Sequence, residues 1–243
     1  MLSGSRTGGD SAFVTGATGF TGREVVRLLR AESLRVVAHV RPDSRDLAKW
    51  RAHFASLGAE VDETPWDEIA MRASLQRVAP DLVFCLIGTT RKRGQAARSA
   101  ARPLESYQTI DYGLTRLLAE AARASGHRPR FVYLSAAGAS ARASSPYGRA
   151  RWKAEEAVRS SGLPFVIARP SFIVGADRDE PRPAEMAGAM LIDGMLAVAS
   201  LAGFRRARDR YRSTSNVELA RALVRLARDP ACVDRVVESE DLR

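Results

Sequence analysis

Residues 15–22 read Thr15-Gly16-Ala17-Thr18-Gly19-Phe20-Thr21-Gly22, directly after the short apolar run Ala12–Thr15 and directly before the helical pattern Arg23–Ala31. A strand that turns at once into a helix needs glycine to make the tight bend, to bring backbone close to a ligand, and to pack the helix on the strand. Such a helix opens with unpaired N–H groups and the positive end of its dipole, a setting that favours an anion. The spacing is GxxGxxG, not GxGxxG, so the strand–turn–helix context carries the inference. Gly16, Thr18, Gly19, Phe20 and Gly22 are expected to line the phosphates of a dinucleotide; the competing reading is a merely structural turn.

The rest of the chain alternates in the same manner. Strands are expected at Leu34–Val40, near Ala59–Asp62, and at Asp81–Ile87, Arg130–Leu134 and Phe165–Ala168, with helices at Leu47–Leu57, Ile69–Val78, Tyr107–Ala124 and Tyr147–Arg159. Continuous apolar runs such as Asp81–Ile87 fit strands covered on both faces, and strands alternating with helices give parallel βαβ units. Right-handed crossovers then place helices on both sides. The expected fold is α/β, a doubly wound parallel sheet. After Pro170 the regularity fails, and residues 175–214, with an apolar stretch Met186–Leu201 and the arginine-rich Arg205–Arg212, read as a small, mostly helical cap on the substrate side. A helix, Asn216–Ala227, follows. The expectation is one domain over residues 1–243, with residues 1–10 a flexible tail.

Composition narrows the function. At 243 residues the chain is long enough to need no disulfide staple. Cys85 and Cys232 are far apart, and Cys85 lies in a buried-looking strand, which fits a reducing compartment. The net charge of +10 comes from arginines scattered along the chain, so no nucleic-acid footprint is expected, although a basic field helps to attract an anionic dinucleotide. Residues 1–10 lack the apolar core of a signal peptide, and Met186–Leu201 is short for a membrane span and contains Asp193. A cytoplasmic protein without transmembrane segments is expected. A weaker reading uses Arg205–Arg212 beside the apolar stretch on anionic membrane surfaces. His39, His53 and His127 have no metal-ligand spacing, so no metal is expected.

The end of the second strand bears on the cofactor. A site preferring the unphosphorylated ribose carries an acidic residue there. Here the sequence is His39-Val40-Arg41-Pro42-Asp43-Ser44-Arg45. The guanidinium groups of Arg41 and Arg45 suit a 2′-phosphate, which favours NADP(H); the competing reading is solvated arginine. Gly88 and Thr89 end the fourth strand, where a ligand of an open α/β sheet lies, and Gly88 would let the cofactor pass close to the backbone. Arg91, Lys92 and Arg93 either meet an anionic substrate or face water.

Together, Gly16–Gly22, Arg41, the run Cys85-Leu86-Ile87-Gly88-Thr89-Thr90-Arg91, Ile110-Asp111-Tyr112, Leu134-Ser135, Tyr147, Arg169-Pro170 and the charged run Asp177–Glu185 resemble the atypical short-chain dehydrogenase/reductases, in the branch of the Tat-interacting protein and its bacterial relatives. The resemblance runs from about Phe13 to Ala227. It implies a Rossmann-type fold, a nicotinamide dinucleotide cofactor contacted also by Tyr147, Arg151 and Pro170, and pairing of two copies through the helices 107–124 and 147–159. It also implies a Ser-Tyr-Lys set beside the nicotinamide, in which tyrosine is acid/base, a cation favours its ionised form and a hydroxyl steadies the reacting oxygen. Tyr147 matches the tyrosine. One turn on stands Arg151 where the family has lysine, and Ser135 is followed by Ala136 where the reacting hydroxyl usually stands. The catalytic candidates are therefore Tyr147, Arg151 and Ser135, in a degraded set. One reading is an NADP(H)-dependent oxidoreductase on a small carbonyl or alcohol substrate. The other is a catalytically weak, NADPH-sensing regulatory or scaffold protein acting through a partner.

Overall fold

A computed structural model describes residues 11–89, 106–171, 173–174 and 214–242. The tail, Arg91–Arg93 and residues 175–213, which make up nearly all of the expected cap and include Arg205–Arg212, lie outside the described residues. The elements are β1 (Ser11–Thr15), α1 (Phe20–Ala31), β2 (Arg35–His39), α2 (Leu47–Ser56), β3 (Glu60–Asp62), α3 (Glu68–Val78) and β4 (Leu82–Cys85). Then follow α4, π-helical over Tyr107–Leu114 and α-helical over Thr115–Ala124, β5 (Arg130–Leu134), α5 (Pro146–Ser160), β6 (Phe165–Arg169), β7 (Ile173–Val174), β8 (Thr214–Ser215), α6 (Asn216–Arg228) and β9 (Arg235–Glu238).

Seven strands form one parallel sheet in the order β3-β2-β1-β4-β5-β6-β9, and β7 pairs with β8 in a separate two-stranded ribbon. This is the doubly wound α/β architecture expected from the alternation of apolar runs. Strand residues alternate between two cores, as a period of two requires. Ala12, Val14, Val36, Ala38, Phe84, Val132 and Ala168 face α1, α2 and α6. Phe13, Val37, Val83, Cys85, Phe131, Tyr133 and Ile167 face α3, α4 and α5. Burial on both faces is why these strands read as unbroken apolar runs.

Strand order reverses between β1 and β4, and in such sheets a ligand lies outside the carboxyl ends of the strands at that point. The glycine turn leaves β1 there. Gly16 has φ of +70°, and a Cβ on it would stand 2.5 Å from the Leu86 carbonyl oxygen just beyond β4. Gly22 is held more tightly, since its Cβ would meet the Gly16 carbonyl oxygen at 2.1 Å. α1 consequently begins at Phe20, earlier than the apolar periodicity suggests, with Gly19 in extended conformation at its cap.

Other features also differ from expectation. β9 is a short seventh strand beside β6, built from Arg235-Val236-Val237-Glu238, where two apolar residues give too short a pattern to read. The first half of α4 is π-helical around Asp111, whose backbone carbonyl accepts the Thr115 hydroxyl at 2.7 Å while its side chain turns inward. Short π segments inside helices concentrate at functional sites.

Because the atom opposing Gly22 is backbone, Gly22→Ala is expected to cost about 1–3 kcal/mol, as overpacking does. Urea unfolding followed by circular dichroism checks this. A midpoint equal to that of the parent would mean that α1 does not press on the turn as closely as described.

Candidate active site

At the glycine turn, no side chain caps the start of α1. Asn216, at the start of α6, donates from Nδ2 to the Phe20 carbonyl at 3.3 Å and so fixes the turn from the far end of the chain. Arg41 follows β2 with Nε 3.6 Å from the Asp43 carboxylate, and Arg45 is exposed. Beneath them His39 is buried at the end of β2, with Nε2 2.8 Å from the Thr64 carbonyl. Asp62, at the end of β3, accepts from the Ser74 hydroxyl at 2.6 Å, from Arg77 at 2.8 Å and from the Thr64 N–H at 3.0 Å. Burial pushes the Asp62 carboxyl up, but the bonds from Ser74 and Thr64 outweigh it and hold the group below the usual carboxylate range.

At the other end of the crevice the governing group is Arg151. Its side chain is 7% exposed and its Nη2 stands 2.9 Å from Oδ1 of Asp111, whose side chain has no exposure at all. The other nitrogen of the fork, Nη1, donates to the Leu134 carbonyl at 2.6 Å and to the Tyr133 hydroxyl at 3.3 Å. Asp111 also accepts the Thr89 N–H at 3.2 Å. Arg151 therefore joins the ends of β4 and β5 to α4 and α5. Burial alone would lower its pKa, yet Tyr147, Tyr133 and Asp111 around it outweigh that and raise it well above the arginine range. Burial pushes the Asp111 carboxyl up, with Arg151 opposing. The Tyr133 phenol is pushed well up by burial and stays neutral, so it serves as a hydrogen-bond partner and not as an acid/base group.

Tyr147 lies in the first turn of α5, half-buried, with the Arg151 guanidinium carbon 5.1 Å from its ring centre and the Tyr107 ring edge-on at 5.2 Å. Tyr147 and Arg151 are thus brought together as the one-turn spacing predicted. Ser135 is not brought to them by its hydroxyl, which donates to Glu155 at 2.6 Å. Glu155 is itself buried and salt-bridged to Arg169 at 2.6 Å and Arg159 at 2.9 Å. The expected catalytic candidate Ser135 thus has its hydroxyl bonded to a buried carboxylate and not to Tyr147 or Arg151. Pro170 is buried beside it, its carbonyl accepting the Ala137 N–H at 2.8 Å.

Gly88 also has a different reason from the one expected. A Cβ there would stand 2.5 Å from Arg151 Nη2, so the glycine makes room for the guanidinium. Beside the Asp111–Arg151 ion pair, two buried side-chain atoms, Thr89 Oγ1 and Arg151 Nε, lack hydrogen-bond partners among the described residues. Buried polar atoms are nearly always satisfied, so such a cluster marks where a polar ligand completes the site. With the uncapped helix and the glycine bend at the other end, the crevice fits an extended dinucleotide. No group of metal-ligating side chains occurs among the described residues. Asp111, Asp62, Glu155 and Asn216 had no assigned roles in the sequence reading.

Comparison with known proteins shows the family and the fold. Residues 12–235 match the model of the NAD dependent epimerase/dehydratase family, and the chain belongs to that family. It is 30% identical over 182 residues to the protein fmp52-1, mitochondrial, of Aspergillus terreus, covering 73% of this chain and 72% of that one. It is 34% identical over 163 residues to the ceramide reductase of Caulobacter vibrioides, covering 67% of this chain but 46% of that one. Among solved structures, the enzyme WbmH of Bordetella bronchiseptica in complex with NAD+ superposes with a TM-score of 0.63 at 19% identity, over 94% of this chain and 74% of that one, which shows the shared fold. The family makes a nicotinamide dinucleotide the class of cofactor. The expected cytoplasmic location does not stand, because several fungal relatives are named as mitochondrial. No helix among the described residues is long and apolar enough to cross a membrane.

If Gly88 exists to seat Arg151, Gly88→Ala is expected to lose about 1–3 kcal/mol in urea unfolding, and to lose far less in a chain already carrying Arg151→Met. Equal losses in both backgrounds would contradict the assignment.

Proposed function

We propose that the chain is an NADP(H)-dependent oxidoreductase acting on a small carbonyl or alcohol group. The bound dinucleotide supplies or accepts the hydride. Gly16, Thr18, Gly19, Phe20 and Gly22 hold its pyrophosphate, Arg41 and Arg45 its 2′-phosphate, and Gly88, Thr89, Tyr147, Arg151 and Pro170 line the crevice toward the nicotinamide. The observation that carries the reading is Tyr147 lying over the anchored guanidinium of Arg151, at 5.1 Å. A phenol so placed gives or takes a proton at the substrate oxygen, while the fixed cation stabilises charge developing on the phenolic oxygen. Arg151 stays protonated throughout, so it is an electrostatic partner and not a proton carrier. Ser135 has no part in the step. The name of the Caulobacter relative, ceramide reductase, supports a carbonyl or alcohol as the reacting group.

A second reading has its own support. Ser135 is bound to Glu155 and Arg151 to Asp111, so the groups that usually surround the tyrosine are engaged elsewhere. That favours a protein that senses the cofactor and acts through a partner.

Calorimetry with NADP+ and NAD+, followed by NADPH oxidation over a panel of carbonyl compounds, decides between them. NADP+ is expected to bind more tightly than NAD+, and Arg41→Ala to erase a difference of about 10–100-fold, the worth of a charge-assisted bond. Tyr147→Phe is expected to lower turnover by about 10²–10⁴-fold. Equal binding of both nucleotides would contradict the phosphate assignment. Selective binding without turnover on any carbonyl would favour the sensor.

A further inference from the structure

The helix that opens at the glycine turn is fastened to α6, which lies almost two hundred residues further along the chain. α1 and α6 share one apolar core, in which Val25, Val26 and Leu29 of α1 and Leu219, Leu223 and Ala227 of α6 are buried. Apolar faces alone leave one helix free to slide and turn on another, because the hydrophobic effect has no direction. Polar contacts at both ends remove that freedom. At the far ends Arg228 of α6 meets Glu32, just beyond α1, but both side chains are exposed and such a pair holds little. At the near ends Asn216, the first residue of α6, is only 8% exposed. Its Nδ2 donates at 3.3 Å to the carbonyl of Phe20, the first residue of α1.

Helical geometry already gives the Phe20 carbonyl an N–H four residues on, so Asn216 is not needed to satisfy it. What the second donor supplies is position. α6 can supply it because its own start is fixed. The Ser215 hydroxyl accepts the Glu218 N–H at 3.2 Å, the Glu218 carboxylate accepts the Ser215 N–H at 3.0 Å, and β8, which leads into the helix, pairs with β7. On the other side of the bond no side chain caps α1, and the Gly19 N–H is given to the Gly16 carbonyl at 2.9 Å. We propose that Asn216 is a positioning residue for the cofactor: through the Phe20 carbonyl it sets where the first N–H groups of α1 stand, and so how tightly the turn holds a pyrophosphate. Those N–H groups bind an anion only along directions that the backbone fixes, and a hydrogen bond weakens steeply as it bends. The inference rests on the reading of the glycine turn as the pyrophosphate site.

Asn216→Leu keeps the size of the side chain and removes the donor, and Asn216→Ala removes the donor and leaves nothing to misfit. For the full chain and both variants, calorimetry measures the affinity for NADP+ and for adenosine 2′-monophosphate, which keeps the adenosine end and has no pyrophosphate. The expected result is NADP+ binding weakened about 3–10-fold, the worth of one hydrogen bond, with binding of the fragment unchanged. NADP+ affinity equal to that of the parent in both variants would overturn the inference. Equal weakening of both ligands, or loss of the helical circular dichroism signal in both variants, would overturn it too, since Asn216 would then support the fold as a whole and not the turn. A parent chain that holds NADP+ no more tightly than the fragment would remove the pyrophosphate assignment, and the inference with it.

Discussion

The ion pair between Arg151 and Asp111 fixes the geometry on which the rest of the crevice depends. Neither side chain meets appreciable solvent, and their separation is 2.9 Å. A lone buried guanidinium would cost several kcal/mol, so the pair is tolerable only because each partner is met from several sides. Leu134 and Tyr133 receive one arm of the fork, and Thr89 gives its N–H to the carboxylate. Leu134 and Tyr133 belong to β5, and Thr89 follows β4. The exits of β4 and β5 are thereby held against α4 and α5, and Gly88 is a glycine because the guanidinium occupies the place of its side chain.

The arrangement divides the crevice into two ends of different character. At the Arg151 end the positive charge is deep and already matched by a carboxylate. At the β2 end the arginines stand nearer the surface, with Arg41 Nε 3.6 Å from the Asp43 carboxylate. Charge that is fixed and neutralised suits orientation of a reacting group. Charge near the surface suits recognition of a phosphate arriving from water. Glu155 makes a third fixed point, holding Ser135, Arg159 and Arg169 and so tying α5 to β6; Arg169 reaches on to Glu238 of β9 at 2.9 Å.

The alternation of strands and helices was legible because two-sided burial writes itself into sequence as apolar runs, and because glycines mark the turn after β1, which cannot accommodate a Cβ. The placement of Tyr147 and Arg151 together followed from helical spacing alone. What the residues do with their polar atoms was not legible. Ser135 reads as a catalytic hydroxyl until Glu155 is found beside it, and the two are twenty positions apart on different elements. A signal was nevertheless present. Asp111 lies in register with Thr115, Leu118 and Ala122 on the buried stripe of α4, and Arg151 and Glu155 lie on that of α5 with Ala154 and Val158. A charge on an apolar stripe must have a buried partner, so these three residues could have been singled out as paired, though not with whom. The π-helical start of α4 has no such signature beyond Gly113, a poor helix former. β9 was too short to carry a period.

The most direct test of this account is a double-mutant cycle on the stability of the chain, with Arg151→Met, Asp111→Leu and both together, read by urea unfolding. If the pair organises the crevice as described, each single change strands a buried charge and costs about 3–5 kcal/mol, while the double change costs much less than their sum. Single effects that simply add would contradict the account, since they would mean that the two side chains do not depend on one another in the folded protein.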